Sequence, residues 1–270
     1  MTPPTLPFAL SRSASEHLAL LSLEPLTPSS FSEFGTAISP PFDSSLTTPP
    51  RSSASIPVPL HSPHQPAPVF ANQNSALKTS PISQFSNHYP VSPPSKPQMS
   101  MFSCFPRNLS GIGIEASPSQ SGGEGSIFRV SILERHPYTT QTFCPLGLAA
   151  SDPSTVFLVV VAPSMSSSTT AVTANTSSRS EPVAITNPPD LARLRAFVAR
   201  GDQAVTYAPG TWHAPMVVLG QRRVDFLVTQ FVNGVAEDDC QEVLLGQNKI
   251  GVDLSGVGLD RYGNKGRPRL

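Results

Sequence analysis

The sequence is short of charge and of long apolar runs. Charged residues make up only 13% of its 270 residues, and 18 basic side chains balance 18 acidic ones. A neutral chain lacks the basic surface that attracts nucleic acids and acidic membranes, so neither partner is expected. The longest apolar run, TVFLVVVA, is far shorter than the roughly 20 residues that span a bilayer.

Cysteine is also scarce. The three cysteines, Cys104, Cys144 and Cys240, are widely spaced and form no Cys-x-x-Cys pair. This pattern favours free thiols in a reducing compartment over a disulfide framework or a zinc site. The first residues contain no basic segment followed by a continuous apolar core, so no secretory signal is predicted. The cytosol is therefore the expected location, and the protein is expected to be cytoplasmic.

Proline, in contrast, is abundant, and its 31 residues gather with serine in tracts. Such tracts bury too little apolar surface to offset the entropy lost when they become ordered. We therefore predict a single domain over residues 24–243, with low-complexity insertions at about 41–68 and 163–182. Residues 1–23 and the glycine-rich tail 244–270 are expected to be poorly ordered.

Short apolar runs separated by turn residues indicate an all-β barrel or sandwich with little helix. A helical turn is predicted after Thr27, with Pro28 in its first position and Gly35 after its end. Strands are predicted within VFANQNSALK, MSMFSCFPR, IFRVSILERH, VFLVVVAP and RVDFLVTQF. The strand VFLVVVAP is apolar throughout and is expected to be buried on both faces.

The most informative strand is IFRVSILERH. A period-two alternation places Phe128, Val130, Ile132, Glu134 and His136 on one face of it. The three apolar side chains of that face would meet a core, whereas the last two are ionisable. A face that becomes ionisable at the end of its strand is typical of a barrel mouth that binds a small molecule.

Two short motifs place more polar groups near this strand end. Glu134, His136 and Gln141 follow the ligand spacing of the first metal motif of cupin barrels. The turn PGTWH, which ends at His213, resembles the second motif. Imidazole nitrogen with carboxylate or amide oxygen suits a divalent ion of intermediate softness. The motifs together favour a cupin-like (double-stranded) β-barrel.

Other interpretations of the same residues stay open. A histidine followed by proline at a strand end is often only hydrogen-bonded in a turn, and Glu134 can pair with Arg129 or Arg135. A first motif with one histidine instead of two weakens metal binding, so the set can also work as a metal-free acid/base site. Arg135, on the opposite strand face from His136, is expected to pack or to contact a second subunit.

Several longer segments resemble the ureidoglycolate lyase family, in particular its fungal branch. They are ILERHPYTTQTFCPLG, LRAFVARGDQAVTYAPGTWHAPM and VDFLVTQFVNG, and EPLTPSSFSEFG, ANQNSALK and MSMFSCFPR are similar to further family segments in the same order. The resemblance implies a cupin-like barrel, commonly a homodimer, that cleaves ureidoglycolate into glyoxylate and urea in allantoin breakdown. It also implies nickel or a similar divalent metal, which has been associated with bacterial members.

The implied reaction suggests roles for the residues. A base takes the proton of the substrate hydroxyl, and an acid protonates the urea nitrogen as it leaves. Glu134, His136 and His213 are the candidate catalytic residues, and together with Gln141 they are the candidate metal ligands. Gln141 is also a candidate for holding the hydroxyl or the urea group of the substrate.

Four other side chains are candidate substrate contacts. The carboxylate of the substrate requires a cation, for which Arg107 and Lys78 are the candidates. Tyr207 and Trp212 are expected at the site, and packing is favoured over direct contact with the substrate for each. In the turn before Lys78 this chain has Asn74 where the family commonly has glycine, which affects a tight backbone turn.

Two other functions fit the same pattern. One is a different metal-dependent cupin enzyme, such as an oxygenase or isomerase. The other is a non-catalytic barrel that binds a small acid. The ionisable end of the strand face argues against the second, because buried ionisable groups without a purpose are costly.

Overall fold

Short strands carry almost all regular structure in the computed structural model, which describes residues 3–7, 18–107, 127–174, 180–246 and 250–257. In the N-terminal half of the described chain the strands are β1 (Ala19–Leu21), β2 (Leu23–Pro25), β3 (Gly35–Ile38), β4 (Val69–Ala71), β5 (Ala76–Lys78), β6 (Lys96–Cys104), β7 (Ile127–Val130) and β8 (Ile132–Arg135). In the C-terminal half they are β9 (Gln141–Leu146), β10 (Thr155–Ala162), β11 (Ser168–Ala174), β12 (Ser180–Thr186), β13 (Arg195–Ala199), β14 (Ala204–Tyr207), β15 (Trp212–His213), β16 (Val217–Gly220), β17 (Val224–Val232), β18 (Gln241–Leu244) and β19 (Ile250–Asp253).

Helices in the described ranges are single turns, α1 (Pro28–Phe31) and α2 (Ala236–Asp239). Helix α1 begins where the sequence predicts, because the Thr27 side chain accepts a hydrogen bond from the Ser30 amide at 3.1 Å. Gly35 then starts β3 with a φ of 142°, and a Cβ there would lie 2.0 Å from the Thr206 carbonyl oxygen. Only glycine permits this approach of β3 to β14. Within the described residues, no helix has the length and apolar character needed to cross a membrane.

Two large sheets face each other. One has the strand order β3-β14-β9-β17-β6, and the other has the order β18-β8-β15-β10-β13-β2, with β16 on a second part of β10. Inward side chains of both sheets and of the segment 28–34 form one apolar cluster, whose aromatic members are Phe31, Phe34, Phe143, Phe157, Phe197, Tyr207 and Phe226. This strand-dominated architecture confirms the predicted all-β, cupin-like class.

Strand β10 lies between two apolar clusters. Its odd-numbered residues 157–161 join the cluster between the large sheets, whereas its even-numbered residues 156–162 join a second cluster on the other side. A three-stranded sheet, β1-β19-β7, contributes side chains to this second cluster. The burial of all eight residues confirms the prediction that this strand is covered on both faces.

The predicted single face from Phe128 to His136 is interrupted at Ser131, which lies in neither β7 nor β8. Strand β7 pairs with β19, whereas β8 pairs with β18 and β15. Because the extra residue shifts the alternation by one, Val130 and Leu133 both enter the second cluster. Glu134 and His136 therefore share a face with each other but not with the apolar residues of β7.

The C-terminal tail contains ordered structure that the sequence does not predict. Strand β19 runs parallel to β1 and antiparallel to β7, and Ile250, Val252 and Leu254 are buried in the second cluster. Their alternation is a strand signal that the neighbouring glycines obscure. Strand β1 likewise lies inside the region 1–23 that is expected to be poorly ordered. Within the two regions of this prediction, residues 1–2, 8–17, 247–249 and 258–270 are outside the described residues.

The two predicted insertions differ in structure. Residues 168–174 and 180–186 form the antiparallel hairpin β11–β12, in which Ala171 is fully buried. Residues 41–68 contain one short 3-10 turn, Ser53–Ser55, and no strand. This hairpin is not predicted from the sequence, because the β-branched residues of β11 lie within a tract that composition alone marks as low-complexity.

We expect Ile250→Ala to lower the free energy of unfolding by about 2–4 kcal/mol, because Ile250 is 2% exposed and its loss leaves a cavity. Leu20→Ala, on the neighbouring strand β1, is the matched control, since Leu20 is 51% exposed. Urea unfolding followed by circular dichroism measures both. Equal, small effects of the two substitutions would contradict the packing of β19 in the core.

Candidate active site

A backbone hydrogen bond joins the two sequence fragments that carry the candidate residues. The Gly210 amide donates to the His136 carbonyl oxygen at 2.9 Å, so the Pro209-Gly210 turn lies against the end of β8. Gly210 has a φ of 78°, in the left-handed region that glycine adopts readily. The chain then enters β15, where His213 pairs with Glu134 of β8. The turn and the strand end thus place their polar side chains in one region.

Three ionisable side chains converge there. The potential ligand atoms of Glu134, His136 and His213 all lie within 4.8 Å of one another, and no other such group of three occurs among the described residues. Glu134 Oε1 is 3.3 Å from His213 Nε2, and the two imidazole centroids are 5.5 Å apart. Both histidines are buried, and Glu134 is partly exposed. Glu134 is therefore the member of the cluster that is most open to solvent.

Backbone carbonyls fix the orientation of both imidazoles. His136 Nδ1 lies 2.5 Å from the Asp239 carbonyl oxygen, and His213 Nδ1 lies 3.1 Å from that of Thr211. A carbonyl oxygen can only accept, so each Nδ1 carries the hydrogen. In the neutral ring, each Nε2 then has a free lone pair, available to a proton or a metal.

The converging atoms are all acceptors. Neither His136 Nε2 nor His213 Nε2 has a hydrogen-bond partner, and the buried Gln141 Oε1 has none either. The 3.3 Å contact of His213 with Glu134 is within ion-pair distance but outside hydrogen-bond geometry. Buried acceptors without donors are unfavourable. A donor or a cation bound among them would satisfy the set.

The residues therefore fit a divalent metal ion. Two imidazole nitrogens, one carboxylate and one amide oxygen are a donor set that zinc, nickel or a similar ion accepts. The Nδ1 hydrogen bonds to carbonyls are the outer contacts that commonly orient metal-bound histidines. Glu134, His136 and His213 would hold the ion, with Gln141 as the candidate fourth ligand.

Burial and neighbouring charge set the protonation of the cluster. Desolvation and the proximity of His213 lower the pKa of His136 to about 4. Burial alone would raise the pKa of Glu134, but its contact with His213 and the nearby His136 lower it below the ordinary carboxyl value. At neutral pH the site thus contains a carboxylate beside a neutral His136, which is suitable for accepting a proton.

Tyr207 and Gln141 lie on the inner face of the five-stranded sheet, where they pair across β14 and β9. The Tyr207 ring stacks on His213 with a centroid distance of 4.0 Å. Burial and the charge of Glu134 raise the pKa of Tyr207, so it remains a phenol. Gln141 Nε2 donates to Gln230 Oε1 at 2.6 Å, which leaves the Gln141 oxygen as the unpaired atom.

The structure places Trp212 away from these residues. Trp212 is fully buried in the second apolar cluster, on the opposite face of β15 from His213. Arg135 lies over its ring at 4.7 Å and donates to Gln241 Oε1 and the Thr186 carbonyl. Trp212 therefore has a packing environment and no place beside the cluster, and Arg135 packs as predicted.

Neither predicted cation lies at the cluster within this chain. Lys78 is exposed in the separate hairpin β4–β5, where Asn74 adopts a left-handed φ of 66°. Arg107 is exposed beyond the end of β6, next to Val218. The site end of β6 is near Gln98, which pairs with Gln230, and Arg107 follows nine residues later. At about 3.3 Å per residue, the end of β6 at Cys104 is already roughly 20 Å from Gln98.

Two residues outside the candidate site residues of the sequence analysis support the site. Gln230 fixes the amide of Gln141, and its place in the alternation of β17, after Val224, Phe226 and Val228, could have shown that it faces inward. Asp239 holds His136, but it lies in an acidic stretch that usually indicates a solvated surface. The sequence feature that predicts a structural role for Asp239 is the preceding Asn233-Gly234 turn, whose backbone amides need an acceptor.

A strand-built barrel with a buried carboxylate–imidazole cluster places this protein in the cupin-like class. The sequence model of the family described as ureidoglycolate lyase matches residues 18–253. Proteins named ureidoglycolate lyase are similar to this chain in Saccharomyces cerevisiae, with 34% identity over 224 residues (81% of this chain, 91% of the yeast protein), and in Schizosaccharomyces pombe, with 34% over 173 residues (64% and 75%). A Burkholderia mallei protein of the same name is 35% identical over 101 residues (37% and 42%). The chain belongs to the ureidoglycolate lyase family.

We expect the free energy of unfolding of the metal-free protein to fall as the pH drops from about 6.5 to 4. An unfolded histidine titrates near 6.5, whereas the pKa of folded His136 is lowered to about 4. Between these values the unfolded state binds more protons, so acid favours unfolding by at most about 1.4 kcal/mol per pH unit from this residue. Urea unfolding at a series of pH values measures the slope.

The variant His136→Gln should show a shallower slope over the same range, because it removes the buried group that resists protonation. His88→Gln is the matched control, since His88 is exposed. Parallel curves for the wild-type protein and His136→Gln would show that His136 does not have a lowered pKa.

Proposed function

We propose that this protein is a carbon–nitrogen lyase that cleaves ureidoglycolate into glyoxylate and urea, in allantoin and purine catabolism. Membership of the ureidoglycolate lyase family supports the reaction. The observation that carries the proposal is the convergence of Glu134, His136 and His213 within 4.8 Å with no donor among them. A substrate hydroxyl is the kind of donor that such a set can bind and deprotonate.

The reaction requires one proton to leave and one to arrive. Ureidoglycolate carries a hydroxyl and a urea nitrogen on the same carbon, beside a carboxylate. Loss of the hydroxyl proton forms the carbonyl of glyoxylate and breaks the carbon–nitrogen bond. The urea nitrogen takes a proton as it departs, so the step is an elimination with no net gain or loss of atoms.

Glu134 is the proposed base. Its lowered pKa keeps it ionised at neutral pH, and it is the most exposed member of the cluster. His213, 3.3 Å away, takes the proton from Glu134 and is the proposed donor to the leaving nitrogen. His136, whose Nε2 is free, is the alternative base for the same hydroxyl proton, and the unpaired Gln141 oxygen accepts from the urea group.

We also propose a metal-assisted form of the reaction, in which the same atoms hold a divalent ion such as nickel instead of carrying protons. A bound ion would polarise the substrate hydroxyl and lower its pKa. Glu134, His136, His213 and Gln141 are the proposed ligands. Their acceptor character supports this assignment, since a cation replaces the missing donor.

Purified protein should release urea and glyoxylate in equal amounts from ureidoglycolate, with no ammonia. His136→Ala should lower kcat/KM by at least about 100-fold, because it removes a group at the reacting atoms. His64→Ala, at an exposed position outside the site, is the control. Enzymatic assays of urea, glyoxylate and ammonia, with elemental analysis of the same sample, provide the measurement.

Other products would identify a different function. Ammonia in place of urea would indicate an amidohydrolase. Tightly bound iron or manganese without lyase activity would favour another cupin enzyme. Calorimetry that detects glyoxylate binding without turnover would favour a small-acid-binding barrel.

We also propose a homodimer formed through β6. This nine-residue strand is the free edge of the five-stranded sheet, and Met99, Met101 and Phe105 on or beside it are 75%, 54% and 67% exposed. Exposed apolar edges of this length favour pairing. An antiparallel strand can pair with a second copy of itself about a two-fold axis, so the occupant is another copy of this chain.

This arrangement supports a role for Arg107. If the axis lies near Phe102, in the middle of the exposed stretch 97–107, the partner's Arg107 lies opposite Pro97, beside Gln98 at the site end of the strand. A guanidinium there can bind the substrate carboxylate bidentately. The role of Lys78, on the hairpin β4–β5, stays a prediction.

Met101→Lys should convert the dimer into a monomer, because two like charges would meet near the axis. Val91→Lys is the control, since Val91 is 95% exposed and lies outside β6. Size-exclusion chromatography with light scattering measures the mass. A monomeric wild-type protein, or a Met101→Lys dimer, would contradict the assigned interface.

We retain a single catalytic domain as a proposal, and the packing of β1 and β19 extends it beyond residues 24–243. The cysteines Cys104, Cys144 and Cys240 are free thiols. This state supports the proposed cytoplasmic location.

A further inference from the structure

The carboxylate of Asp239 is held by several donors although it does not face the cluster. Its Oδ1 accepts from the Asn233 amide at 2.8 Å, and its Oδ2 accepts from the Gly234 amide at 2.8 Å. The Tyr89 hydroxyl also donates to Oδ1 at 2.8 Å. The same residue presents its backbone carbonyl to His136 Nδ1. The donors that fix the carboxylate thus also fix the carbonyl that orients His136.

Tyr89 comes from a distant part of the sequence, 150 residues before Asp239. It belongs to the segment 86–89, here called the strap, which runs beside the chain that leads from β8 to β9. The strap is joined to that chain by backbone hydrogen bonds from His88 to Tyr138 and from Thr140 to Ser86. The Tyr89 ring packs against Tyr138 with a centroid distance of 5.5 Å. The strap is therefore attached to the segment that follows His136 and, through Tyr89, to Asp239.

The environment of Tyr89 keeps its hydroxyl a donor. Burial and the charge of Asp239 raise the pKa of Tyr89. Its oxygen also lies 3.1 Å from the Phe231 carbonyl oxygen in β17, but the Asp239 carboxylate in α2 is nearer and charged and is the preferred acceptor of the single hydrogen. A protonated hydroxyl beside a carboxylate gives a charge-assisted hydrogen bond, which is stronger than one between neutral groups.

We propose that Tyr89 and Asp239 are positioning residues that hold His136 with hydrogen on Nδ1 and with Nε2 free for the reaction. Neither residue touches the reacting atoms; they act through the Asp239 carbonyl. The inference rests on the proposed function only for its effect on turnover. The orientation and tautomer of His136 can be measured without any substrate.

The reason for such a device lies in the chemistry of imidazole. A neutral histidine whose Nδ1 bond is weakened places its hydrogen on Nε2 in part of the molecules. An Nε2–H would point toward Glu134 and His213 and remove the lone pair that a proton or metal needs. Outer contacts of this kind commonly change affinity or activity by 10–100-fold when they are removed.

The experiment compares Tyr89→Phe with Tyr138→Phe. The first removes the hydroxyl that holds Asp239, and the second removes a hydroxyl from the ring packed beside it. We expect Tyr89→Phe to lower kcat about 10-fold with little change in KM, and Tyr138→Phe to leave both near wild-type values. Asp239→Asn should lower kcat further than Tyr89→Phe, because it places an amide nitrogen against backbone donors. Urea unfolding of each variant accompanies the kinetics.

Nitrogen-15 NMR of histidine-labelled protein without substrate supplies the second readout. Wild-type His136 should show the Nδ1–H tautomer, and Tyr89→Phe should show a mixture with Nε2–H. A stability loss with an unchanged His136 signal and unchanged kcat would show that the strap is only structural and would overturn the proposal. If the wild-type protein lacked lyase activity, the proposed function would fail, while the tautomer comparison would still test the positioning role.

Discussion

The site depends on one constraint: several buried acceptors meet where the protein supplies no donor. The β8–β15 register brings Glu134 opposite His213, and the amide of Gly210 holds the end of β8 against the turn. Carbonyl oxygens occupy both Nδ1 positions, so the free lone pairs point into the same space. This arrangement is unfavourable for folding unless something binds there. The function of the site therefore explains why these acceptors are buried without donors, which packing does not explain.

Much of the site can be predicted from the sequence, because the positions of its residues follow from local periodicity. Glu134 and His136 are two residues apart in a strand, which places them on one face whatever the rest of the fold does. The Pro-Gly turn before His213 and the apolar run of β10 are equally local. Tyr207 and Gln141 belong to two matched segments, but their pairing across β14 and β9 is a long-range fact that no single segment contains.

The differences between the sequence predictions and the structure come from strand register and from the use of composition alone. One extra residue at Ser131 reverses the faces between β7 and β8, which alternation alone cannot show. Trp212 is adjacent to His213, so in a strand the two side chains point to opposite faces. The same alternation places Arg135 on the opposite face from His136. Charge alone makes Arg107 a candidate for binding the substrate carboxylate, whereas the β6–β17 register decides how far it lies from the cluster.

The strap lies within a stretch rich in proline and serine, 79–97, and illustrates why composition is a poor guide to the role of such segments. Composition estimates how much apolar surface a segment can bury, but the strap is held by backbone and hydroxyl hydrogen bonds to Tyr138, Thr140 and Asp239. The prolines that flank the strap, Pro81 and Pro90, also limit the freedom of the unfolded chain, which reduces the entropy lost on ordering. A segment with little apolar area can therefore be ordered enough to orient a histidine. Its information lies in the bonds that it makes with elements distant in sequence.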